Sequence, residues 1–156
     1  MFREKKGGFT LIELLLVVTL VGLLATVAMA ALGESRRKTR DLKRANDVRT
    51  LHHTLEIFGN EKDGYPRADT PAVLGTGNFK ILCNSGFAAQ CEAGEKVFQL
   101  IVAQAPKPID GSCSEAQNEY TYYAPEGREY RIDFCLGKAV GDLTAGMHSA
   151  TPSGVK

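Results

Sequence analysis

A single carboxylate, Glu13, stands near the start of a long apolar segment, where a charged group is costly. From Leu14 to Leu32 the chain has no charged residue. An acidic side chain in the middle of a bilayer costs about 2.5–3.5 kcal/mol, and less near the surface, so a retained one usually has a partner or a function. We therefore expect Glu13 to pair with a cation on another copy of the chain.

The histidines and cysteines do not predict catalysis. His52 and His53 are neighbours in a helical pattern, and no serine or cysteine lies beside them at a local spacing. A cysteine nucleophile needs a free thiol, whereas an even number of cysteines in an exported chain indicates disulfides. We expect no catalytic residues and a protein that is not an enzyme.

The four cysteines, Cys83, Cys91, Cys113 and Cys135, allow three disulfide pairings, and the sequence alone does not choose among them. We favour Cys83 with Cys91, which closes a short loop, and Cys113 with Cys135, which ties a loop to a strand. Each bridge would add about 2–4 kcal/mol to the stability of a small domain. The alternative is a zinc cluster, but the chain has no Cys-x-x-Cys pair.

The apolar segment has the length of one membrane crossing. The 19 residues from Leu14 to Leu32 would span about 28 Å as a helix, close to the thickness of the hydrocarbon layer. Basic residues precede this segment, as in targeting signals. One interpretation is an ordinary secretory signal that is cleaved after Ala30 and releases a soluble domain beginning at Ala31.

A basic cluster follows the apolar segment. Arg36, Arg40 and Lys43 lie at helical spacing within it and could line a stripe that contacts DNA phosphates. We favour a solvated helix face or ion pairs between subunits, because the net charge of +1 gives no overall reason to expect a nucleic-acid partner. Basic residues beside a membrane segment also favour the cytoplasmic side. The cysteines favour export, and we give them more weight.

The hexapeptide from Gly8 to Glu13, Gly-Phe-Thr-Leu-Ile-Glu, resembles the processing site of type IV pilins and of their relatives, the pseudopilins of type II secretion. In that family a membrane peptidase cleaves after the glycine of a class III signal peptide and methylates the new N-terminus. The resemblance implies cleavage between Gly8 and Phe9 and N-methylation of Phe9. It also implies assembly through a pair between Glu13 and the Phe9 ammonium of a neighbouring copy.

The resemblance further implies an α+β fold, in which a long N-terminal α-helix packs on a small antiparallel β-sheet that is stapled by disulfides. We expect a cleaved leader over residues 1–8, a transmembrane and filament-core helix over 9–32, an amphipathic helix over 33–59, and a globular domain over 60–156 with a mobile tail. The family often has a proline where this chain has Ala30. Without that proline, unwinding of the helix near Gly22 is less expected.

The pattern after the apolar segment predicts individual elements of the globular domain. An apolar stripe at three- and four-residue steps continues the helix to Phe58, and Gly59 and Asn60 supply a stop. We predict a loop over 67–78, a short strand over 78–83, one or two helical turns or a strand over 94–103, and a β-hairpin from 119–124 and 129–136. The tail after residue 136 predicts at most a strand near Ala139 and Val140.

Calcium is a ligand of the major pseudopilins of type II secretion, which bind it in a C-terminal loop. Asp110, Asp133 and Asp142 offer oxygen ligands in the same half of this chain, but their spacing matches no calcium-binding loop. We assign no metal ligands and expect no cofactor.

The function that the resemblance implies is structural: a pilin subunit of a type IV pilus-like filament. Its partners would be other copies of itself, related minor pilins, the prepilin peptidase, and an assembly platform with its ATPase. It would be a single-pass protein of the inner (cytoplasmic) membrane before assembly and part of an extracellular or periplasmic filament afterwards. The alternatives are a type II secretion pseudopilin and a secreted or membrane-anchored binding domain that never polymerises.

Overall fold

The computed structural model describes residues 8–111 and 113–156, and the chain divides into two compact units between Arg36 and Arg37. One helix, α1 (Leu11–Lys62), begins in the first unit and ends in the second. The expected leader, apart from Gly8, lies outside the described residues.

The first unit, residues 1–36, contains the apolar part of α1, and its described residues are all exposed. An 18-residue window of the helix has a mean hydropathy of 2.6, and none of that window is buried. By length and composition the helix can cross a membrane. A helix that is apolar on every side is typical of a membrane span or of the core of an assembly.

The second unit contains the strands. The described strands are β1 (Ala68–Val73), β2 (Ile81–Cys83), β3 (Gly86–Ala88), β4 (Val97–Gln99), β5 (Thr121–Ala124), β6 (Arg131–Leu136), β7 (Gly146–Thr151) and β8 (Gly154–Val155). Five of them form an antiparallel sheet in the order β1-β5-β6-β7-β8, and three form a smaller antiparallel sheet in the order β3-β2-β4. A short 3-10 helix, Ala116–Asn118, precedes β5.

The core of the second unit lies between α1 and the sheets, which confirms the expected α+β packing. The helix contributes apolar side chains at steps of three or four residues, so that one face is buried. Its core residues are Ala45, Val48, Leu51, Leu55 and Phe58, and those of the central strands include Tyr122, Ile132, Phe134, Leu136 and Ala150.

The end of α1 is later than predicted. The helix passes Gly59 and Asn60 and ends at Lys62, where Asp63 takes a left-handed conformation with φ of 56°. Glycine at position 59 does not end the helix but leaves room for a neighbouring side chain, because a Cβ there would lie 2.7 Å from the ring of Tyr65. Asp63 therefore occupies the position just past the helix that usually requires φ above zero.

Two segments that were predicted to be irregular are strands. Residues 67–78 were expected to form a loop, but β1 pairs with β5 with a shift in register between Ala68 and Ala72. Pro71 is tolerated because β1 is an edge strand, where a missing N–H costs no ladder hydrogen bond. The prediction of a mobile tail was also wrong. β7 pairs with β6 from Gly146 to Ala150, and β8 pairs with β7 at the end of the sheet.

The predicted β-hairpin is confirmed as β5 and β6, and the segment 94–103 contains strand β4 rather than a helix. The structure also has the two favoured disulfides. Cys83 pairs with Cys91 and Cys113 pairs with Cys135, with Cα–Cα distances of 5.6 and 6.0 Å. The second bridge joins β6 to the loop that precedes the 3-10 helix.

Candidate assembly site

The start of α1 is organised by Thr10 and Glu13. The backbone N–H of Glu13 donates to Thr10 Oγ1 at 3.3 Å, and the Thr10 hydroxyl makes a long contact of 3.5 Å with Glu13 Oε2. Because the helix begins at Leu11, threonine is the N-cap and glutamate the third helical residue, and their bond is the N-cap half of a capping box. This role of Thr10 was not predicted from the sequence, although the spacing Thr-x-x-Glu indicates it.

The predicted cleavage junction lies just before the cap. Gly8 and Phe9 belong to no helix or strand, and the Phe9 side chain is 76% exposed. A Cβ built on Gly8 would meet nothing within 4 Å. Within the described residues of the first unit, the junction is therefore open to another protein.

Two threonines inside the apolar segment have close local hydrogen-bond partners, unlike the carboxylate of Glu13 just before it. The hydroxyls of Thr19 and Thr26 donate to the carbonyls of Leu16 and Leu23 at 2.8 and 2.7 Å. Such bonds allow threonine in a lipid-facing helix, because its hydroxyl is not left without a partner. Among the described residues, the Glu13 carboxylate has only its 3.5 Å contact with Thr10. It is thus available for an external cation.

The basic residues that follow are largely engaged inside the second unit. Arg40 makes two hydrogen bonds of 2.6 Å to the carboxylate of Asp110, and Lys43 donates to Asp47 at 2.8 Å. Arg36 is exposed and belongs to the first unit. The three residues of the predicted DNA-binding stripe are therefore not shown as one free basic surface, and DNA binding stays a prediction without geometric support.

A buried charge cluster anchors α1 to the C-terminal half. Arg44 is 1% exposed, and its Nη1 donates to Asp41 at 2.8 Å and to Asp110 at 3.1 Å. Its Nη2 donates to the Asn118 side chain at 2.7 Å. Asp41 in turn accepts the backbone N–H groups of residues 137 and 138, each at 3.0 Å. Sequence spacing gives no signal for this cluster, because its helix residues and their partners in the C-terminal half are far apart in the chain.

The electrostatics of the cluster follow from its pairing. The hydrogen bonds from Arg40 are the main cause that lowers the pKa of Asp110, and the bond from Arg44 adds to it. The pKa of Arg40 is raised by the same hydrogen bond. With Asp41 and Arg44, the cluster holds two cations and two anions, so its buried charges balance.

Comparison with known proteins bears on the N-terminal site. A family model described as the prokaryotic N-terminal methylation motif matches residues 3–29, which include the junction, the cap and Glu13. The N-terminal residues of the chain are thus similar to those of type IV pilins and pseudopilins. Filament subunits of this family are processed by a prepilin peptidase and polymerise with related subunits, and they are typically not enzymes.

Similarity to individual members of the family covers part of the chain. The type II secretion system core protein G of Aeromonas hydrophila is 26% identical over 69 residues, which are 44% of this chain and 48% of that protein. The core protein G of Vibrio cholerae is 31% identical over 42% of this chain and 45% of its own length. The type IV major pilin protein PilA of Myxococcus xanthus is 31% identical over 41% of this chain and 29% of its own length.

These matches cover less than half the length of each of these relatives. No solved structure matches the chain. The similarity to pilins and pseudopilins is therefore that of the N-terminal motif and of these partial matches.

The carboxylates considered for calcium do not come together. Asp110 is bound by Arg40, Asp133 accepts a hydrogen bond of 3.0 Å from Arg131, and Asp142 is exposed. Among the described residues, the one group with metal-like spacing combines Glu95 with two cysteines, whose sulfurs are already joined as a disulfide. No calcium site is proposed from these residues.

Proposed function

We propose that this chain is a structural subunit, a pilin, of a type IV pilus-like filament. The observation that carries the proposal is a capped helix whose first part is apolar on every side and whose Glu13 carboxylate, among the described residues, contacts only Thr10. Residues 9–32 anchor the subunit in a membrane and later form the core of the filament. The second unit, fixed by its two disulfides, forms the exposed part of each subunit.

Processing supplies the missing partner of Glu13. Cleavage between Gly8 and Phe9 removes the basic leader and creates an ammonium group on Phe9. The carboxylate would pair with this ammonium on a neighbouring copy, which removes the cost of an isolated charge among apolar helices and sets the register between subunits. The remaining contacts replace lipid by close packing of apolar helices.

The proposed location changes with assembly. The subunit waits as a single-pass protein of the inner membrane, with its second unit on the exported side, where the disulfides form. An assembly platform and its ATPase then move it into an extracellular or periplasmic filament that contains other copies and related minor pilins. No cofactor is part of the proposal.

A second candidate function is that of a type II secretion pseudopilin. It is favoured by the similarity to core protein G from several bacteria, including Escherichia coli and Klebsiella michiganensis. Long surface fibres at native expression would identify a pilin. Loss of secretion on deletion of the gene, without fibres, would identify a pseudopilin.

N-terminal mass spectrometry of the protein from its native membrane tests the proposal. The expected N-terminus is N-methylated Phe9. A protein that begins at Ala31 would indicate a secreted domain, and a retained Met1 would indicate an unprocessed anchor. Either result would contradict the proposed processing.

A further inference from the structure

The second unit has an apolar tip formed by Leu100 and Ile101, which directly follow β4. These side chains are 67% and 76% exposed, more than any other large apolar side chain described in this unit. Single exposed apolar residues are common on protein surfaces, but two adjacent ones beside an apolar groove indicate a contact surface. The tip is therefore a candidate interaction site outside the helix N-terminus.

Hydrogen bonds to backbone carbonyls hold the chain on both sides of the tip. The N–H of Val102 donates to the carbonyl of Lys80 at 2.7 Å, and the side-chain amide of Gln104 donates to the carbonyl of Gly75 at 2.6 Å. The amide of Gln99 donates to the carbonyl of Ile101 at 3.1 Å. Because both sides of the tip are fixed, its exposure is built into the fold, and docking would require little ordering of the chain.

A groove of about 600 Å³ lies beside the tip. Lysines contribute the charged side chains of its wall, and none of the described residues that line it has a carboxylate. Its lining includes Lys43, Lys80, Ile81, Leu100, Ile101 and Val102. Lys43 shares its charge with Asp47, so Lys80 supplies most of the positive potential. Apolar walls with ammonium groups at the rim match the chemistry of an anionic lipid, which has acyl chains beneath a negative headgroup.

We propose that the tip and its groove dock on anionic phospholipid of the bilayer that holds the same chain. The tether favours this occupant over a second copy: Lys43 follows Leu32, the end of the apolar segment, by only 11 residues. A bilayer held so close along the chain has a high effective concentration at the groove, provided that the anchor and the groove can engage it at the same time. The inference rests on the proposed membrane anchor and adds that the second unit also contacts the bilayer before assembly.

The chain has no tryptophan, so one added tryptophan is a unique fluorescent reporter. The full chain carrying Ile101→Trp is reconstituted in vesicles of phosphatidylcholine with one third phosphatidylglycerol. Brominated lipids then report contact by quenching. The matched control is Met147→Trp, which replaces an apolar side chain that is 49% exposed on β7. Flotation of the vesicles shows whether the chain is inserted.

The expected result is a blue shift and quenching for Ile101→Trp that exceed those of Met147→Trp about threefold or more. In the Ile101→Trp chain, the further change Lys80→Gln weakens lipid contact about fivefold, the effect of one surface charge on anionic lipid. For the Ile101→Trp chain without the Lys80 change, vesicles of phosphatidylcholine alone should weaken lipid contact to a similar degree. The exposed positions of both reporters leave the core of the unit intact.

Three outcomes would overturn the inference. An inserted chain whose Ile101→Trp is quenched no more than Met147→Trp does not dock through the tip. A blue shift that grows with the ratio of protein to lipid, and not with bromination, places a second copy in the groove. Failure of the chain to float with the vesicles removes the membrane anchor of the proposed function, and this inference with it.

Discussion

At the scale of single residues, Thr10 and Glu13 form one motif with two roles. The backbone of Glu13 completes the cap of α1, while its carboxylate stays available for an external partner. A residue that starts a helix is held in a fixed position, because its backbone is part of the first turn. The cap therefore fixes the point of the helix from which the Glu13 carboxylate extends, which helps a register contact between subunits.

Removal of the Thr10 hydroxyl tests the cap. Thr10→Val keeps the shape of the side chain but loses the hydrogen bond to the Glu13 N–H, which should cost about 0.5–2 kcal/mol of local helix stability. We expect the amides of residues 11–14 to exchange with solvent about 2–30-fold faster in detergent micelles. Thr10→Ser, which keeps the hydroxyl, should behave like the original chain. Equal exchange in all three proteins would contradict the cap.

Asp110 gives the second unit a defined dependence on pH. Its pKa is lowered in the folded state by Arg40, so its contribution to stability is complete above its unfolded pKa of about 4. That contribution is lost as the pH falls through the lower folded pKa. We expect Asp110→Asn to lower the free energy of unfolding at pH 7 by about 3–5 kcal/mol and to flatten its acid dependence, because Arg40 and Arg44 lose a shared anion.

Urea unfolding of the full chain in detergent, measured from pH 7 to pH 3, checks this prediction. The control is Asp142→Asn, since Asp142 is an exposed carboxylate in the same half of the chain. That variant should change little at any pH. If the free energy of unfolding of Asp110→Asn falls with pH as steeply as that of the original chain, the acid sensitivity comes from other groups.

At the scale of elements, the end of α1 shows why a local signal can mislead. Gly59 looked like a helix stop, but its small size makes room for the Tyr65 ring. Tyr65 also donates to the Glu56 carboxylate at 3.2 Å, so its ring is held against the helix. A close contact between residues that meet only in the folded chain leaves no trace in the helical pattern, whereas glycine in a pattern does indicate a stop.

Gly59→Ala separates the two explanations. Alanine is the better helix former by about 0.5–1 kcal/mol, but its Cβ would lie 2.7 Å from the Tyr65 ring, and overpacking costs about 1–3 kcal/mol. We expect a lower thermal midpoint for the full chain in detergent. Gly33→Ala, whose Cβ would meet nothing within 4 Å, should not lower it. A gain in stability for Gly59→Ala would show that the ring moves freely.

The strands show the same limit of sequence patterns. The β5–β6 hairpin was predictable because its apolar residues alternate, as in Tyr130, Ile132 and Phe134. β7 has no such alternation, and its position depends on the free edge of β6, with which it makes its ladder. Its residue Ala150 is fully buried only because that partner exists. Pairing between distant segments decides such strands, and local propensity does not.

At the scale of the whole molecule, the N-terminal motif could be predicted from a few local residues. In the second unit the class, the β5–β6 hairpin and the disulfides could be predicted, but the strands and contacts that join distant segments could not. The motif depends on residues within one short stretch, from Gly8 to Glu13. The cluster around Arg44 joins residues as far apart as Asp41 and Lys138, and its formation requires the complete fold. The same folding engages Arg40 and Lys43 with aspartates, so part of the basic cluster belongs to the folded domain rather than to a free surface.

The central claim is that Glu13 joins neighbouring copies in a filament, and Glu13→Val tests it most directly. Filaments are sheared from cells and quantified, while N-terminal mass spectrometry confirms processing of the same protein. We expect Glu13→Val to be cleaved, methylated on Phe9 and retained in the membrane, with filaments reduced at least about tenfold because the Phe9 ammonium has no partner. Leu14→Val, its apolar neighbour, should assemble normally. Normal filaments from the processed Glu13→Val protein would contradict the claim.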